Sequence, residues 1–276
     1  MNLNGTNFNV EVNIDVDDGI GEGIPMVWGH GLMSSMASED LLQLYDWELF
    51  PKSNMLIRYD ARGHGKTDPS FIPMDYHWKN LSRDMISVVD QYHSGSFIAG
   101  GQSMGCATSI YTAIQAPDRV KGLVLMNPPT AWEERASQAG LYRKMSNLGM
   151  LFGGGMLAAT MSNKLDRLFP SWLVNANEVN AAGALDGLKA LKRMSLYNLF
   201  KGAALTDLPS KSQLQSIDAP TLILAWGDDP SHPLSVAKEL HSLLQRTELI
   251  EANNYSDVKT WPTLIREFVS SVNESR

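Results

Sequence analysis

The stretch that decides the fold is Gly101-Gln102-Ser103-Met104-Gly105, a G-x-S-x-G pentapeptide. It follows the apolar run Phe97-Ile98-Ala99-Gly100 and opens the helical stretch 106–116. A serine on so tight a strand-to-helix turn has strained backbone angles, and the residues around it must be glycine. The turn lifts the serine hydroxyl out of the sheet and leaves the backbone N–H of Met104 free near a helix N-terminus. The pentapeptide alone also fits an ordinary turn, so its flanking elements are what favour Ser103 as a nucleophile.

Short apolar runs alternate with helical patterns along the chain. The runs predict strands at 25–28, 55–59, 97–100, 120–126, 221–226 and 248–252, and helices are predicted around 81–89, 104–116, 236–244 and 264–269. Near the N-terminus, residues 7–16 alternate apolar and polar side chains as a half-buried strand does, and Asp17-Asp18-Gly19 predicts a hairpin turn. Strands that alternate with helices predict an α/β fold with a mainly parallel sheet covered on both faces.

One region breaks this alternation. Residues 127–219 contain no convincing strand, and they hold helix-like segments, three consecutive glycines at 153–155 and methionines at 145, 150, 156, 161 and 194. We interpret 127–219 as a helical cap inserted into a core made of residues 1–126 and 220–276. The methionines fit either packing within the cap or an adaptable apolar lid over a pocket, and both interpretations stay open.

Length and composition exclude several classes of protein. The 276 residues fit one large α/β domain, and the net charge of −7 argues against nucleic acid or an anionic membrane as the main partner. One cysteine, Cys106, allows no internal disulfide. The polar start 1–10 is unlike a signal peptide, and no run reaches the roughly 18 apolar residues of a membrane span. We therefore expect a cytoplasmic protein, monomer or homodimer, that acts on a small molecule.

Two further glycine motifs follow predicted strands. His30-Gly31-Leu32 comes after the strand 25–28, and its glycine would let backbone approach a substrate closely, so His30 and Gly31 are expected to line the pocket. Asp60-Ala61-Arg62-Gly63-His64-Gly65-Lys66-Thr67 follows the strand 55–59. Its Gly-Lys-Thr ending suggests a phosphate-binding loop, but that motif needs a glycine where Asp60 stands. The segment is therefore interpreted as setting the shape of its own loop.

The order of these motifs, followed by Asp229-Pro230, resembles the α/β-hydrolase superfamily, and within it the esterase, C–C hydrolase and haloperoxidase-like members. The resemblance spans roughly residues 20–130 and 215–276. It implies Ser103 as nucleophile, the backbone N–H groups of Leu32 and Met104 as the oxyanion hole, an acid after a late strand and a histidine after the last strand. It implies neither a metal nor a cofactor.

The acid of the resemblance has two candidates. Gly227-Asp228-Asp229-Pro230 follows the buried strand 221–226. An Asp-Pro pair is common at this place in the family, which favours Asp229. The loop is one residue shorter than usual after Gly227, so Asp228 also stays open.

The histidine of the resemblance is missing from its usual place. After the strand 248–252 the chain continues Asn253-Asn254-Tyr255-Ser256-Asp257, and no histidine follows His241. A serine hydroxyl is a poor nucleophile at neutral pH without an adjacent base. His232, three residues beyond Asp229, and His30, beside the oxyanion loop, are the candidates for that base. His64 is expected to pack within its loop, and the other three histidines, at 77, 93 and 241, are expected to lie at the surface.

Two classes of function remain open. The first is a serine hydrolase acting on a small, mostly apolar ester or related acyl compound. The second is a catalytically impaired protein of the same fold that binds a carbonyl or carboxylate ligand, because fold does not fix function. A lyase or perhydrolase that uses the same pocket is a third idea, and it rests on fold analogy alone.

Overall fold

The computed structural model describes residues 1–13, 23–176 and 178–275. The predicted turn Asp17-Asp18-Gly19 and the last three residues of the predicted first strand, 14–16, lie outside the described residues. The described part of that strand is interrupted, since residues 8 and 9 separate two short strands. Phe8 is buried at this break, while the backbone N–H of Asn9 donates to Thr67 Oγ1 at 2.9 Å.

The described strands are β1 (Asn2–Leu3), β2 (Thr6–Asn7), β3 (Val10–Asn13), β4 (Met26–Gly29), β5 (Leu56–Tyr59), β6 (Phe97–Gln102), β7 (Val120–Met126), β8 (Thr221–Trp226) and β9 (Thr247–Ala252). Seven of them form one sheet in the order β3-β5-β4-β6-β7-β8-β9. Only β3 runs antiparallel to its neighbour in that sheet, and the other pairs are parallel. The mainly parallel sheet predicted from the sequence is confirmed.

The described helices are α1 (Met36–Leu42), α2 (Trp78–Asp90), α3 (Met104–Gln115), α4 (Arg135–Phe152), α5 (Gly154–Ser162), α6 (Ser171–Ala176), α7 (Glu178–Gly183), α8 (Asp186–Ala190), α9 (Arg193–Ala203), α10 (Lys211–Gln215), α11 (Leu234–Leu243), α12 (Tyr255–Val258) and α13 (Trp261–Glu274). Short 3-10 turns occur at Trp47–Leu49, Pro73–Tyr76, Trp132–Glu134 and Leu165–Arg167. From α4 to α10 the described chain contains no strand.

Alternating side chains of the strands face two separate apolar layers. On one face Val27 and Ile57 pack with α2, α3 and α11, and on the other face Met26 and Trp28 pack with α13. A third cluster, which includes Met145, Leu188 and Leu196, lies within the helices between β7 and β8. Because both faces of the sheet are covered, the open edge at the carboxyl ends of the parallel strands is where loops can build a site.

The methionines between β7 and β8 occupy two different environments. Met145 is buried in the third cluster, whereas Met150, Met156 and Met194 are exposed. Met145 and Met161 therefore pack within this cluster, and the three exposed methionines do not.

Candidate active site

Ser103 stands on a sharp turn between a strand and a helix. β6 ends at Gln102, α3 begins at Met104, and Ser103 between them has φ +52° and ψ −105°. A positive φ is uncommon for a residue with a side chain, and it persists only where the surroundings enforce it. The backbone N–H of Ser103 donates to the carbonyl oxygen of Met126 at 2.9 Å, which ties the turn to the end of β7.

Glycines allow three backbone segments to meet at this turn. A Cβ atom at Gly101 or at Gly105 would overlap the carbonyl oxygen of Gly29. A Cβ atom at Gly31 would lie 3.7 Å from Cβ of Ser103. The loop after β4 therefore lies directly beside the serine.

His232 joins Ser103 to Asp229 in a continuous hydrogen-bonded chain. The Oγ of Ser103 lies 2.9 Å from Nε2 of His232, and Nδ1 of the same ring lies 2.8 Å from Oδ2 of Asp229. Since an ionised carboxylate can only accept, Nδ1 carries the ring proton and Nε2 accepts the hydrogen bond from the serine hydroxyl. The imidazole lone pair thus points at the serine oxygen.

Asp229 is the aspartate that faces the histidine. Its side chain is fully buried, and its Oδ1 accepts the backbone N–H groups of Ser231 at 2.7 Å and His232 at 3.1 Å. Asp228, by contrast, is exposed and takes a positive φ of 56°. The turn after β8 therefore directs one aspartate inward and the other to solvent.

The segment after β9 serves as a helix cap. Asn254 caps α12 by accepting the backbone N–H of Asp257 at 3.0 Å, and the Asp257 carboxylate accepts the backbone N–H of Asn253 at 2.9 Å. This loop therefore supplies neither nitrogen nor carboxylate to Ser103. The carboxylate and the imidazole, which the family resemblance places on separate loops, both lie on the loop 227–233.

His30 is buried between two loops, although the sequence suggested that it lines the pocket. Its Nδ1 donates to the carbonyl oxygen of Gly31 at 2.8 Å, and its Nε2 accepts the backbone N–H of Ala61 at 2.9 Å. Burial lowers the pKa of His30. With both nitrogens occupied and 1% of its surface exposed, His30 braces the loop after β4 and is not available to Ser103. Gly31 is the residue of this pair that touches the serine.

His64 lies against His30 and is also neutral. The two rings meet edge-to-face with centroids 5.0 Å apart, and Nδ1 of His64 donates to the carbonyl oxygen of Arg62 at 3.0 Å. Burial is the main cause that lowers the pKa of His64 to about 3, and His30 adds to it. Its Nε2 has no partner among the described residues.

Asp60 shapes the loop after β5, as the sequence indicated when it excluded a phosphate site. Its carboxylate accepts the backbone N–H groups of Met36 and Lys66, both at 2.9 Å, and a Cβ atom at Gly65 would overlap that carboxylate. Gly65 has a φ of +49°.

The three remaining histidines lie away from Ser103. His77 caps α2 by accepting the backbone N–H of Lys79, His93 follows α2 at the surface, and His241 is exposed beside Thr247. Of the six histidines, His232 alone contacts the serine.

Among the backbone N–H groups near the serine that lack a partner in the described parts of the chain are the two proposed as oxyanion donors. They belong to Leu32, in the loop after β4, and to Met104, the first residue of α3. These are the donors that the sequence analysis assigned to an oxyanion hole.

Several supporting side chains escaped the sequence analysis. The hydroxyl of Tyr45 donates to Oε1 of Gln102, the residue before the serine, at 3.0 Å. The buried carboxyl group of Glu39 accepts Nε1 of Trp28 at 3.2 Å, and burial raises the pKa of Glu39 to about 8. No local sequence pattern predicts such contacts, because each of them joins residues on different elements.

The helices between β7 and β8 also hold the loop that carries His232. Nε1 of Trp172 donates to the carbonyl oxygen of Gly227 at 3.2 Å, and Oγ of Ser231 donates to the carbonyl oxygen of Arg167 at 3.3 Å. The ring of Phe169 packs against that of Trp226, the last residue of β8, with centroids 6.1 Å apart. Both ends of the loop are therefore fixed from outside the sheet.

The described residues contain no group of three or more histidine, cysteine or acidic side chains placed to hold a metal ion. Nor does any described helix combine the length and the apolarity needed to cross a membrane.

Comparison with known proteins gives a consistent result. The family model described as "alpha/beta hydrolase fold" matches residues 49–257. The 3-oxoadipate enol-lactonase 2 of Acinetobacter baylyi is 25% identical over 227 residues, which cover 76% of this chain and 75% of that protein. The AB hydrolase superfamily protein YisY of Bacillus subtilis is 25% identical and covers 94% of this chain and 96% of its own length. A thermophilic esterase from Thermogutta terrifontis superimposes with a TM-score of 0.79 at 18% identity, covering 96% of this chain and 94% of that structure.

Proposed function

Because this chain belongs to the α/β-hydrolase family, we propose that it is a serine hydrolase in which Ser103, His232 and Asp229 act as nucleophile, base and acid. The observation that carries the proposal is the chain of contacts from Ser103 Oγ to His232 Nε2 and from His232 Nδ1 to Asp229, at 2.9 and 2.8 Å. Those distances lie within the hydrogen-bond reach that a general base requires.

The proposed reaction begins when Nε2 of His232 takes the proton of the Ser103 hydroxyl. The serine oxygen attacks the substrate carbonyl carbon, and the oxyanion that forms accepts the N–H groups of Leu32 and Met104. The tetrahedral intermediate collapses by breaking the bond to the alcohol oxygen, which leaves with the proton from His232. Water then attacks the acyl-enzyme by the same route, releasing the acid and restoring the serine.

Asp229 has a positioning and electrostatic part in this scheme. Its buried carboxylate holds Nδ1–H of His232, which fixes the tautomer that can accept a proton at Nε2. The same carboxylate stabilises the imidazolium that forms during attack. Two backbone N–H groups fix the carboxylate in turn, so this loop holds the acid and the base at a set separation.

The proposed substrates are small, mostly apolar esters or related acyl compounds. Leu32 and Met33, in the loop that touches Ser103, pack partly against the apolar cluster of the cap. A substrate beside the serine would therefore meet aliphatic side chains on the cap side. The named activities of the similar proteins, an enol-lactonase and an esterase, both cleave acyl–oxygen bonds and agree with this class.

The test combines turnover with covalent labelling. We expect the protein to hydrolyse p-nitrophenyl acetate and butyrate with a burst of p-nitrophenol, and to gain one phosphonyl group at Ser103 from a fluorophosphonate. Ser103→Ala abolishes both, whereas Ser242→Ala, which removes an exposed hydroxyl on α11, keeps both. Failure of the unaltered protein to burst and to be labelled at every pH tried would contradict the proposal.

A binding protein that lost its base is the alternative suggested by the missing histidine after β9. The placement of His232 beside Ser103 favours turnover over that alternative. A small ester or carboxylate that raises the melting temperature and is recovered chemically unchanged would favour the binding protein instead.

A further inference from the structure

The cap carries an apolar ridge on its outer surface. On α4, Leu141, Leu148, Leu151 and Phe152 recur at intervals of three, four and seven residues, so they share one face of the helix. Between 45% and 62% of each of these side chains is exposed. Met156 on α5 and Met194 on α9 are also exposed, and Met194 follows Arg193, whose side chain lies beside Gly153 at the junction of α4 and α5. We call these six residues the cap ridge.

The adjoining face of α4 is already used. Met145, Ser146 and Gly149 are buried, and α4 packs along α9 within the cap. Gly149 lies close to Leu196 and Leu157, where a larger residue would crowd both. The cap ridge is therefore not needed to hold the cap together.

Basic side chains accompany the cap ridge. From 135 to 165 the sequence contains no aspartate or glutamate, although the whole chain has a net charge of −7. Arg143 and Lys144 project from α4, and Lys192 and Arg193 lie next to Met194. All four are exposed, and none forms an ion pair with a carboxylate in the described parts of the chain.

We propose that the cap ridge docks onto an anionic lipid bilayer. The apolar side chains enter the boundary between headgroups and acyl chains, and the four basic side chains contact lipid phosphates. An amphipathic helix with apolar residues on one face and lysine or arginine at its flanks binds membranes in this way. The proposal stands independently of the proposed function, since it involves no catalytic residue.

The net charge of the chain, which led us to expect no membrane partner, does not decide this interaction. Fields from exposed charges are screened beyond about 10 Å at 0.1 M salt, so the local charge of the cap outweighs the distant acidic residues of the core. The same basic residues disfavour a second copy as the occupant. A two-fold dimer through the cap ridge would place identical cations opposite one another.

The test measures partition of the whole protein onto vesicles. We expect sedimentation with large vesicles of phosphatidylcholine mixed with phosphatidylglycerol, weaker sedimentation with phosphatidylcholine alone, and release by raised salt. The double variant Leu151→Ser/Phe152→Ser should lower the partition coefficient by about tenfold. Lys192→Glu/Arg193→Glu should lower binding to the mixed vesicles and leave the weak binding to phosphatidylcholine unchanged.

The matched control is Phe71→Ser, which removes an aromatic side chain that is 72% exposed and lies outside the cap ridge. It should bind vesicles as the unaltered protein does, and unchanged melting temperatures show that all variants fold. Absence of binding to the mixed vesicles, or equal loss with Phe71→Ser, overturns the proposal. So does a dimer in solution that Leu151→Ser/Phe152→Ser dissociates, because the cap ridge would then be covered by a second copy.

Discussion

Two regions near the carboxyl edge of the sheet carry histidines, and they use them in opposite ways. After β4 and β5, His30 and His64 are fully buried, and their ring hydrogen bonds go to backbone groups. His30 bonds to Gly31 and, across to the other loop, to Ala61, and His64 bonds to Arg62. After β8, His232 keeps 17% of its side chain exposed and divides its two nitrogens between a carboxylate and a serine hydroxyl.

The difference shows what a histidine needs in order to act as a base here. A ring whose nitrogens are both committed to backbone groups stabilises loops, whatever its distance from the nucleophile. A ring held by a carboxylate at Nδ1 has its Nε2 lone pair free to accept a proton. From their sequence neighbours, His30 and His232 could each either brace a loop or act as a base. Only the hydrogen-bond partners of the ring nitrogens distinguish the two roles.

The largest expected effect comes from removing the histidine that we propose as the base. We expect His232→Ala to lower kcat for p-nitrophenyl butyrate by roughly 10³-fold or more, with KM changed little, because the serine loses its base and the pocket keeps its shape. Steady-state kinetics checks this result. His241→Ala, which removes an exposed histidine from α11, is the control and should keep full activity. If His232→Ala kept more than a tenth of kcat, the contrast between His232 and the buried histidines would be contradicted.

Substitutions of the two adjacent aspartates should differ in their effect on kcat. Asp229→Asn leaves the carboxylate's place occupied but lets the amide favour the wrong tautomer of His232, and we expect kcat to fall by about 10²- to 10⁴-fold. Asp228→Asn, in the same turn but exposed, should change kcat less than about threefold. Equal losses in the two variants would mean that the acid is assigned to the wrong residue.

We expect the buried histidines to contribute more to the stability of the fold than His232 does. His30→Ala leaves the carbonyl oxygen of Gly31 and the N–H of Ala61 without partners and opens a cavity, so we expect unfolding free energy to fall by about 2–4 kcal/mol. His232→Ala should cost less than about 1 kcal/mol, since its side chain is partly exposed. Urea unfolding of the two variants measures this difference, and similar losses would contradict the division of roles.

The pH dependence of stability is expected to be small near neutral pH and to grow in acid. Burial lowers the pKa of His64 to about 3, below the ordinary value of 6.5, and it lowers the pKa of His30 as well. The unfolded chain therefore binds protons at these two histidines that the folded chain does not bind. Stability is complete above pH 6.5 and declines as the pH falls towards 3, by on the order of 3 kcal/mol at pH 4 from His64.

The variant His64→Asn tests whether His64 causes this decline in stability at low pH. Asparagine can still donate to the carbonyl oxygen of Arg62 but does not titrate, so the decline between pH 6.5 and 4 should become shallower. Melting temperatures of the unaltered protein and the variant, measured at matched pH values, test the effect. Parallel curves would show that His64 is not protonated on unfolding.

Much of the fold followed from local patterns. The predicted bounds of β7 and β8 agree with the structure, and β6 extends two residues further, to the residue before Ser103. These strands are continuous apolar runs, because parallel strands are buried on both faces. Ser103 and Asp229 could be named because glycine and proline motifs mark the turns on which they stand.

The rest of the site depends on contacts that no local pattern encodes. The contact between His232 and Ser103 joins residues 129 positions apart, and the sequence could only name His232 as one candidate beside His30. The sequence could not show that Nε2 of His30 is occupied, because its partner Ala61 lies on a different loop. Trp172, which holds the loop of the base from the cap, carries no motif at all.

The central claim is that the acid's own loop supplies the base, and the rate at which a fluorophosphonate modifies Ser103 tests it most directly. Intact-mass measurements over time give this rate without depending on the choice of substrate. We predict modification of one site in the unaltered protein and in His241→Ala, and a rate at least about 10²-fold lower in His232→Gln. Modification of Ser103 in His232→Gln at the unaltered rate would contradict the claim.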